Sequence, residues 1–135
     1  MEFCYSGGIT SFGAGAMNFE FSEEQHLLRD QARAFLAEFC PTDTVRAVLD
    51  SDNEWDQSLW ERVAEMGWTA TVIPEAYGGL GLSHYELAIL AEEMGRSVAP
   101  LPFSSSVYLA SEAILAFGSE GQKSEWLPKL ASGEC

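Results

Sequence analysis

Basic residues are scarce in this 135-residue chain: seven Lys and Arg stand against 21 Asp and Glu, a formal net charge of -14 at pH 7. So acidic a surface repels nucleic-acid phosphates and anionic membranes, and neither is expected as a partner. The seven cations, Arg29, Arg33, Arg46, Arg62, Arg96, Lys123 and Lys129, are scattered and form no cluster that reads as a phosphate site. Long apolar runs are also missing, and none reaches the ~20 residues a helix needs to span a bilayer. Cysteine is limited to Cys4, Cys40 and Cys135, an odd number without metal-ligand spacing, which favours a reducing, cytoplasmic setting.

Histidine is represented only by His26 and His84, and no Ser lies in a G-x-S-x-G elbow, so hydrolase triads have nothing to stand on. Glu23-x-x-His26 has the spacing of di-iron helix bundles, but such a site needs a second copy and two further carboxylates, and only one copy exists. No metal site is expected. The glycines of Gly78-Gly79-Leu80-Gly81 lack the G-x-G-x-x-G spacing and no Lys-Ser/Thr follows them, which argues against a nucleotide cradle. Cys40 falls at the carboxy-terminal end of a predicted helix, where the dipole disfavours a thiolate, and is expected to be inert.

What the chain does have is helix patterning. With 47% hydrophobic residues it is long enough for one domain with a real core. A Ser22/Gln25 capping box opens a helix over roughly 22–39 with Leu28, Ala32, Phe35, Leu36 and Phe39 on one face, ending before Pro41. A short helical turn is expected around 45–49, and a second helix from about Asp56 to Met66 buries Leu59, Trp60 and Val63 and closes at Gly67. The β-branched run Thr69 to Ile73 is too short to make a sheet alone. After the glycine loop, Ser83 and Glu86 form another capping box; Leu87, Leu90, Ala91 and Met94 line one face, and Gly95 is placed to stop the helix. Pro100-Leu101-Pro102 is a stiff break before a helix over about 104–117. A third capping box, Ser119/Gln122, starts the last helix, which is expected to run to about Leu130 and which Pro128 should fray or terminate. The four tryptophans, Trp55, Trp60, Trp68 and Trp126, lie on or beside apolar faces. The fold expected is all-α, an antiparallel, bundle-like domain with a long glycine-bearing loop.

The order of motifs resembles the amino-terminal helical domain of the acyl-CoA dehydrogenases. It opens with Phe19-Glu20-Phe21-Ser22-Glu23-Glu24-Gln25, continues through Trp60 and Met66-Gly67-Trp68, and reaches Pro74-Glu75-Ala76-Tyr77-Gly78-Gly79-Leu80-Gly81 and Glu92-Glu93-Met94-Gly95-Arg96. It closes with Gly118-Ser119-Glu120-Gly121-Gln122-Lys123 and Leu127-Pro128-Lys129-Leu130-Ala131-Ser132-Gly133-Glu134. The match runs from Met17 to Glu134, so residues 1–16, rich in Gly and Ser, read as a non-native or disordered leader with 17–135 as the domain.

The resemblance implies α,β-dehydrogenation of an acyl-CoA thioester with FAD as cofactor. It also implies an electron-transfer flavoprotein or similar acceptor, and a homo- or heterotetramer. The family's middle β domain and second helical domain, with the catalytic glutamate and most flavin contacts, have no counterpart here, so the chain alone is expected to be inactive. By the same resemblance the helix after Pro102 lines the acyl cavity, which makes Phe103, Ser106, Val107 and Ala110 the candidate substrate-binding residues. A register shifted by one would select Pro102, Ser105, Ser106 and Leu109. The residues alone allow close helix packing instead. Two other classes stay open: a non-catalytic helical binding module, and a related acyl-CoA oxidase or flavin monooxygenase.

Overall fold

The computed structural model describes residues 20–135; the expected leader, Met17 and Phe19 lie outside that range. The chain forms α1 (Glu23–Phe39), α2 (Thr42–Leu49), α3 (Gln57–Glu65), α4 (His84–Ser97), a helix α5 that begins as a π-helix (Ser104–Ser111) and continues as an α-helix (Glu112–Phe117), and α6 (Glu120–Ala131). Short 3-10 turns occur at Trp68–Ala70 and Glu75–Tyr77, and among the described residues there is no strand. The all-helical, bundle-like expectation is met.

All three expected capping boxes form, at Ser22/Gln25, Ser83/Glu86 and Ser119/Gln122. Each satisfies backbone N–H groups that a helix start leaves without intrahelical partners. The apolar faces then pack: Ala32, Leu36, Leu59, Trp60, Val63, Trp68, Leu87, Leu90 and Met94 are buried in one core that unites α1, α3 and α4. A smaller core joins Ala70 and Ile73 to Leu127, Leu130 and Ala131 of α6. Of the four tryptophans, Trp60 and Trp68 are core residues, whereas Trp55 and Trp126 are 37% and 41% exposed.

α1 and α4 lie side by side in the same direction. Gln25 Nε2 donates to Glu86 Oε1 at 2.7 Å near both helix starts, Arg33 grips Glu93 midway, and the Cys40 thiol points to the Ser97 carbonyl at both ends. The elements between them let the chain travel back before α4 begins.

The run Thr69 to Ile73 is buried and folds as turns. Its carbonyls receive the glycine loop: Leu80 N–H donates to Ala70 at 2.9 Å, Gly81 N–H to Ile73 at 2.9 Å and Leu82 N–H to Thr71 at 2.8 Å. These bonds satisfy a buried segment that has no sheet partner.

Three local expectations need correction. α2 starts at Thr42, earlier than expected, because the Pro41 carbonyl accepts from Thr44 and Val45. α6 ends at Ala131, close to the expected Leu130, but Pro128 neither frays nor terminates it, because the turn beyond the proline carries the buried Leu130 and Ala131. Gly95 does not end α4: the helix runs to Ser97 and closes at Val98, whose φ of 50° is left-handed. There Val98 N–H donates to Gly95 and Ala99 N–H to Met94, the Schellman pair that usually places glycine at this position. Val98 is 68% exposed, so little packing offsets the strain of a β-branched residue in this conformation. Val98→Gly is expected to stabilise the fold by about 1 kcal/mol. An unchanged or lower midpoint in urea unfolding would show that the strain is absent.

Candidate functional site

The Pro100-Leu101-Pro102 break ends one packing layer and lets α5 start in a new direction. Its first eight residues, Ser104–Ser111, are π-helical, and the Ser111 hydroxyl donates to the Ser106 carbonyl at 3.0 Å. A π-helix has a wider turn than an α-helix, and such segments are frequent at functional sites. The wider turn divides the four residues that α-helical spacing puts on one face. Phe103 and Val107 are buried in the main core, and Phe103 meets Trp60 and Tyr108 edge-on at ring-centroid distances of 6.5 and 5.3 Å. Ser106 and Ala110 instead line an open cleft of about 590 Å³. Of the alternative register, Pro102 and Ser105 also line this cleft, whereas Leu109 is 68% exposed and outside its lining.

The rest of the cleft comes from distant parts of the chain. Trp55 contributes from just before α3 and Trp60 from within it, Ile114 from α5, Trp126 and Leu130 from α6, and Gly133 to Cys135 from the segment after it. No sequence spacing joins these elements; the only local signal was that tryptophans sat beside apolar faces. The lining is mostly apolar, Glu134 carries its one side-chain carboxylate, and none of the lining residues is basic. Such a cleft suits an uncharged apolar chain and offers nothing to a phosphate.

A second hollow of about 770 Å³ runs along Thr44 to Ser58 and carries Asp52, Glu54 and Asp56. These three carboxylates would repel the phosphates of a coenzyme. Among the described residues no cluster of His, Cys, Asp and Glu could hold a metal ion. His26 is exposed and lies 2.8 Å from Arg29, and His84 lies 2.7 Å from Glu112. Burial pushes the Cys40 thiol above its ordinary value, consistent with an unreactive core sulfur.

One buried carboxylate escaped the sequence reading. Glu93 is only 2% exposed, and Arg33 donates to both its oxygens, Nη2 to Oε1 at 2.6 Å and Nε to Oε2 at 3.0 Å, with Arg96 Nε at 3.6 Å. Hydrogen bonding from Arg33 holds the Glu93 carboxyl below the usual carboxylate range, against the opposing effect of burial. Its position seven residues after Glu86, which also faces α1, was the available signal.

Comparison with known proteins places these features. A family profile described as "Acyl-CoA dehydrogenase, N-terminal domain" matches residues 22–134. The (2S)-methylsuccinyl-CoA dehydrogenase of Cereibacter sphaeroides is 36% identical over 94% of this chain and 22% of its own length. The acyl-CoA dehydrogenase IpdE2 of Mycolicibacterium smegmatis is 35% identical over 83% of this chain and 35% of its own length. Among solved structures, an acyl-CoA dehydrogenase complexed with FAD from Bacillus anthracis superposes with a TM-score of 0.74 at 28% identity, covering 85% of this chain and 20% of that one. The chain therefore spans about a fifth to a third of the length of these relatives.

Proposed function

Because the chain belongs to the acyl-CoA dehydrogenase family through the amino-terminal helical domain, we propose that α5, α6 and the segment after α6 form the wall against which an acyl chain lies. The whole enzyme then dehydrogenates an acyl-CoA thioester between its α and β carbons. The observation that carries this reading is the mostly apolar cleft beside the π-helix, lined by Ser106 and Ala110 and free of cations. Its volume of about 590 Å³ falls within the rough range of 300–1,000 Å³ found for small-molecule sites. Phe103 and Val107 support this wall from the core side. The coenzyme's charged part lies elsewhere in this reading, since no basic residue borders the cleft.

The described residues do not fit a flavin. Holding its pyrophosphate calls for free cations or a glycine cradle at a helix start. Arg33 and Arg96 are committed to Glu93, Arg29 to His26, Lys123 to Glu120, and Arg62 and Lys129 lie over the rings of Phe39 and Trp126; that leaves Arg46, exposed in the last turn of α2, as a single cation away from any helix start. Other parts of the enzyme would therefore hold FAD and carry the catalytic base. The same reading includes an electron-transfer flavoprotein or similar acceptor, assembly as a tetramer, and a reducing, cytoplasmic setting in keeping with the free thiols Cys40 and Cys135.

The cleft contains its own reporters in Trp55, Trp60 and Trp126. Titration with an acyl-CoA brominated along its acyl chain is expected to quench their fluorescence saturably, whereas coenzyme A alone leaves it unchanged. Ala110→Phe, which fills the cleft, should weaken that binding at least tenfold. Quenching that never saturates, or that ignores Ala110→Phe, overturns the reading.

The exposed side chains of Phe117 and Leu109, 90% and 68% accessible, favour a second reading in which this face docks on another protein or domain. A chain that sediments as a monomer up to high micromolar concentration would count against self-docking there.

A further inference from the structure

The segment after α6 is held by three side chains from three different elements. Thr69 Oγ1 donates to the carbonyl of Ala131, at the end of α6, at 2.7 Å, Trp60 Nε1 to the Gly133 carbonyl at 2.7 Å, and Ser106 Oγ to the main-chain oxygen of Cys135 at 3.1 Å. The acceptors are alternate residues, so the three donors act as a clasp along one edge of the segment. Backbone bonds close the other side: Gly133 N–H donates to Leu130 at 3.2 Å and Glu134 N–H to Lys129 at 3.0 Å. A Cβ at Gly133 would stand 2.7 Å from Ala64 Cβ, so the segment is pressed onto α3 with no room for a side chain.

Trp60, Ser106 and Gly133 to Cys135 all border the cleft, whereas Thr69 and Ala131 lie behind it. Two of the three clasp bonds therefore fix where the segment after α6 stands beside Trp60 and Ser106 at the cleft. An indole N–H has a single hydrogen and no acceptor, so Trp60 has nothing polar left for a ligand; the Ser106 proton is likewise committed. Both residues border the cleft, yet their polar groups serve the wall and leave the ligand an apolar face.

We propose that Trp60, Thr69 and Ser106 are positioning residues whose clasp on the main-chain oxygens of Ala131, Gly133 and Cys135 sets the width of the cleft, and with it the preference between straight and branched acyl chains. This inference rests on the acyl-binding reading for its ligand, and on the clasp geometry alone for its mechanism.

Amide hydrogen exchange on the 135-residue chain tests it, with α1 amides as an internal control for folding. Ser106→Ala, at the cleft rim, is expected to speed exchange at the hydrogen-bonded amides of Gly133 and Glu134 up to about tenfold, the factor of one lost hydrogen bond. Ser106→Thr, which keeps the hydroxyl, should restore it; Thr69→Val against Thr69→Ser gives the same contrast deeper in the fold. Using straight and branched brominated acyl-CoA probes, Ser106→Ala should also raise the affinity for the branched probe relative to the straight one by several-fold, with Thr restoring the original ratio. Unchanged exchange in Ser106→Ala with protected α1 overturns the clasp, and raised exchange with an unchanged probe ratio overturns its role in width. If no probe binds even the unsubstituted chain, the acyl-binding reading falls together with the width assignment, while exchange still decides whether the clasp exists.

Discussion

Replacing Gly79 with alanine is expected to destabilise the fold by about 3 kcal/mol, at the upper end of what a small overpacking change costs. A Cβ at Gly79 would stand 1.9 Å from the Ile73 carbonyl oxygen and 2.5 Å from Ile73 Cβ. Neither neighbour can yield. Ile73 is fully buried in the core formed with Leu127 and Leu130, and its carbonyl accepts the Gly81 N–H that fixes the loop. Any shift that relieves the clash breaks that bond or opens the core. Gly78 provides the contrast: nothing lies within 4 Å of its added Cβ, and only its φ of 82° disfavours a side chain. Gly78→Ala should cost about 1–2 kcal/mol, the ordinary penalty of a left-handed residue. Urea unfolding of both variants checks the order, and equal losses would remove close backbone approach as the reason for glycine at 79.

Arg33→Met should rank next, because it strands Glu93. The carboxylate is 2% exposed and would keep Arg96, at 3.6 Å, as its nearest cation, with a weaker coulombic effect from Arg29. Leaving a buried charge without its partner costs about 3 kcal/mol, and Arg96 offsets part of it. Glu93→Gln should cost less, since the arginine side chains are 49% and 58% exposed and can turn to water.

The pH dependence separates the two substitutions. In the unsubstituted chain the Glu93 carboxyl is held below its unfolded value, chiefly by the Arg33 hydrogen bonds. Its contribution is therefore fully present above the ordinary glutamate value of about 4.3 and is lost as pH falls through the depressed folded value. Without Arg33 the desolvation effect remains while its main counterweight is gone, so the carboxyl moves upward. The penalty of Arg33→Met should then shrink on acidification through the carboxylate range as Glu93 takes up a proton. A penalty that stays constant between neutral and mildly acidic pH would mean that Glu93 is not the group responsible.

Local information was sufficient for most of the helices. A capping box is a contact between residues three apart, and an apolar face repeats within two turns, so Ser22, Ser83 and Ser119 could be read as helix starts from neighbours alone. The same locality explains two misreadings. Glycine at 95 and proline at 128 are terminators by intrinsic preference, yet packing of the following turn and the closing bonds at Val98 and Ala99 outweighed that preference. The family, too, was legible, because it resides in the order of short motifs, and the profile match over residues 22–134 agrees with it.

The candidate site was legible only in part. The helix after Pro102 could be singled out from its position in the motif order, but its π-helical turn changes the angular spacing of successive side chains. Sequence periodicity assumes an α-helical turn and so puts Phe103, Ser106, Val107 and Ala110 on one face, where the structure divides them between core and cleft. Helix content, the all-α class, the acidic character and the family follow from the residues themselves, since each depends on composition or on contacts a few residues apart. The common direction of α1 and α4, the burial of Glu93 against Arg33, and the meeting of Trp60, Ser106 and Gly133 around one cleft were decided by tertiary packing. They join residues 27 to 73 positions apart, and no local energy term relates such partners until the chain has closed upon itself.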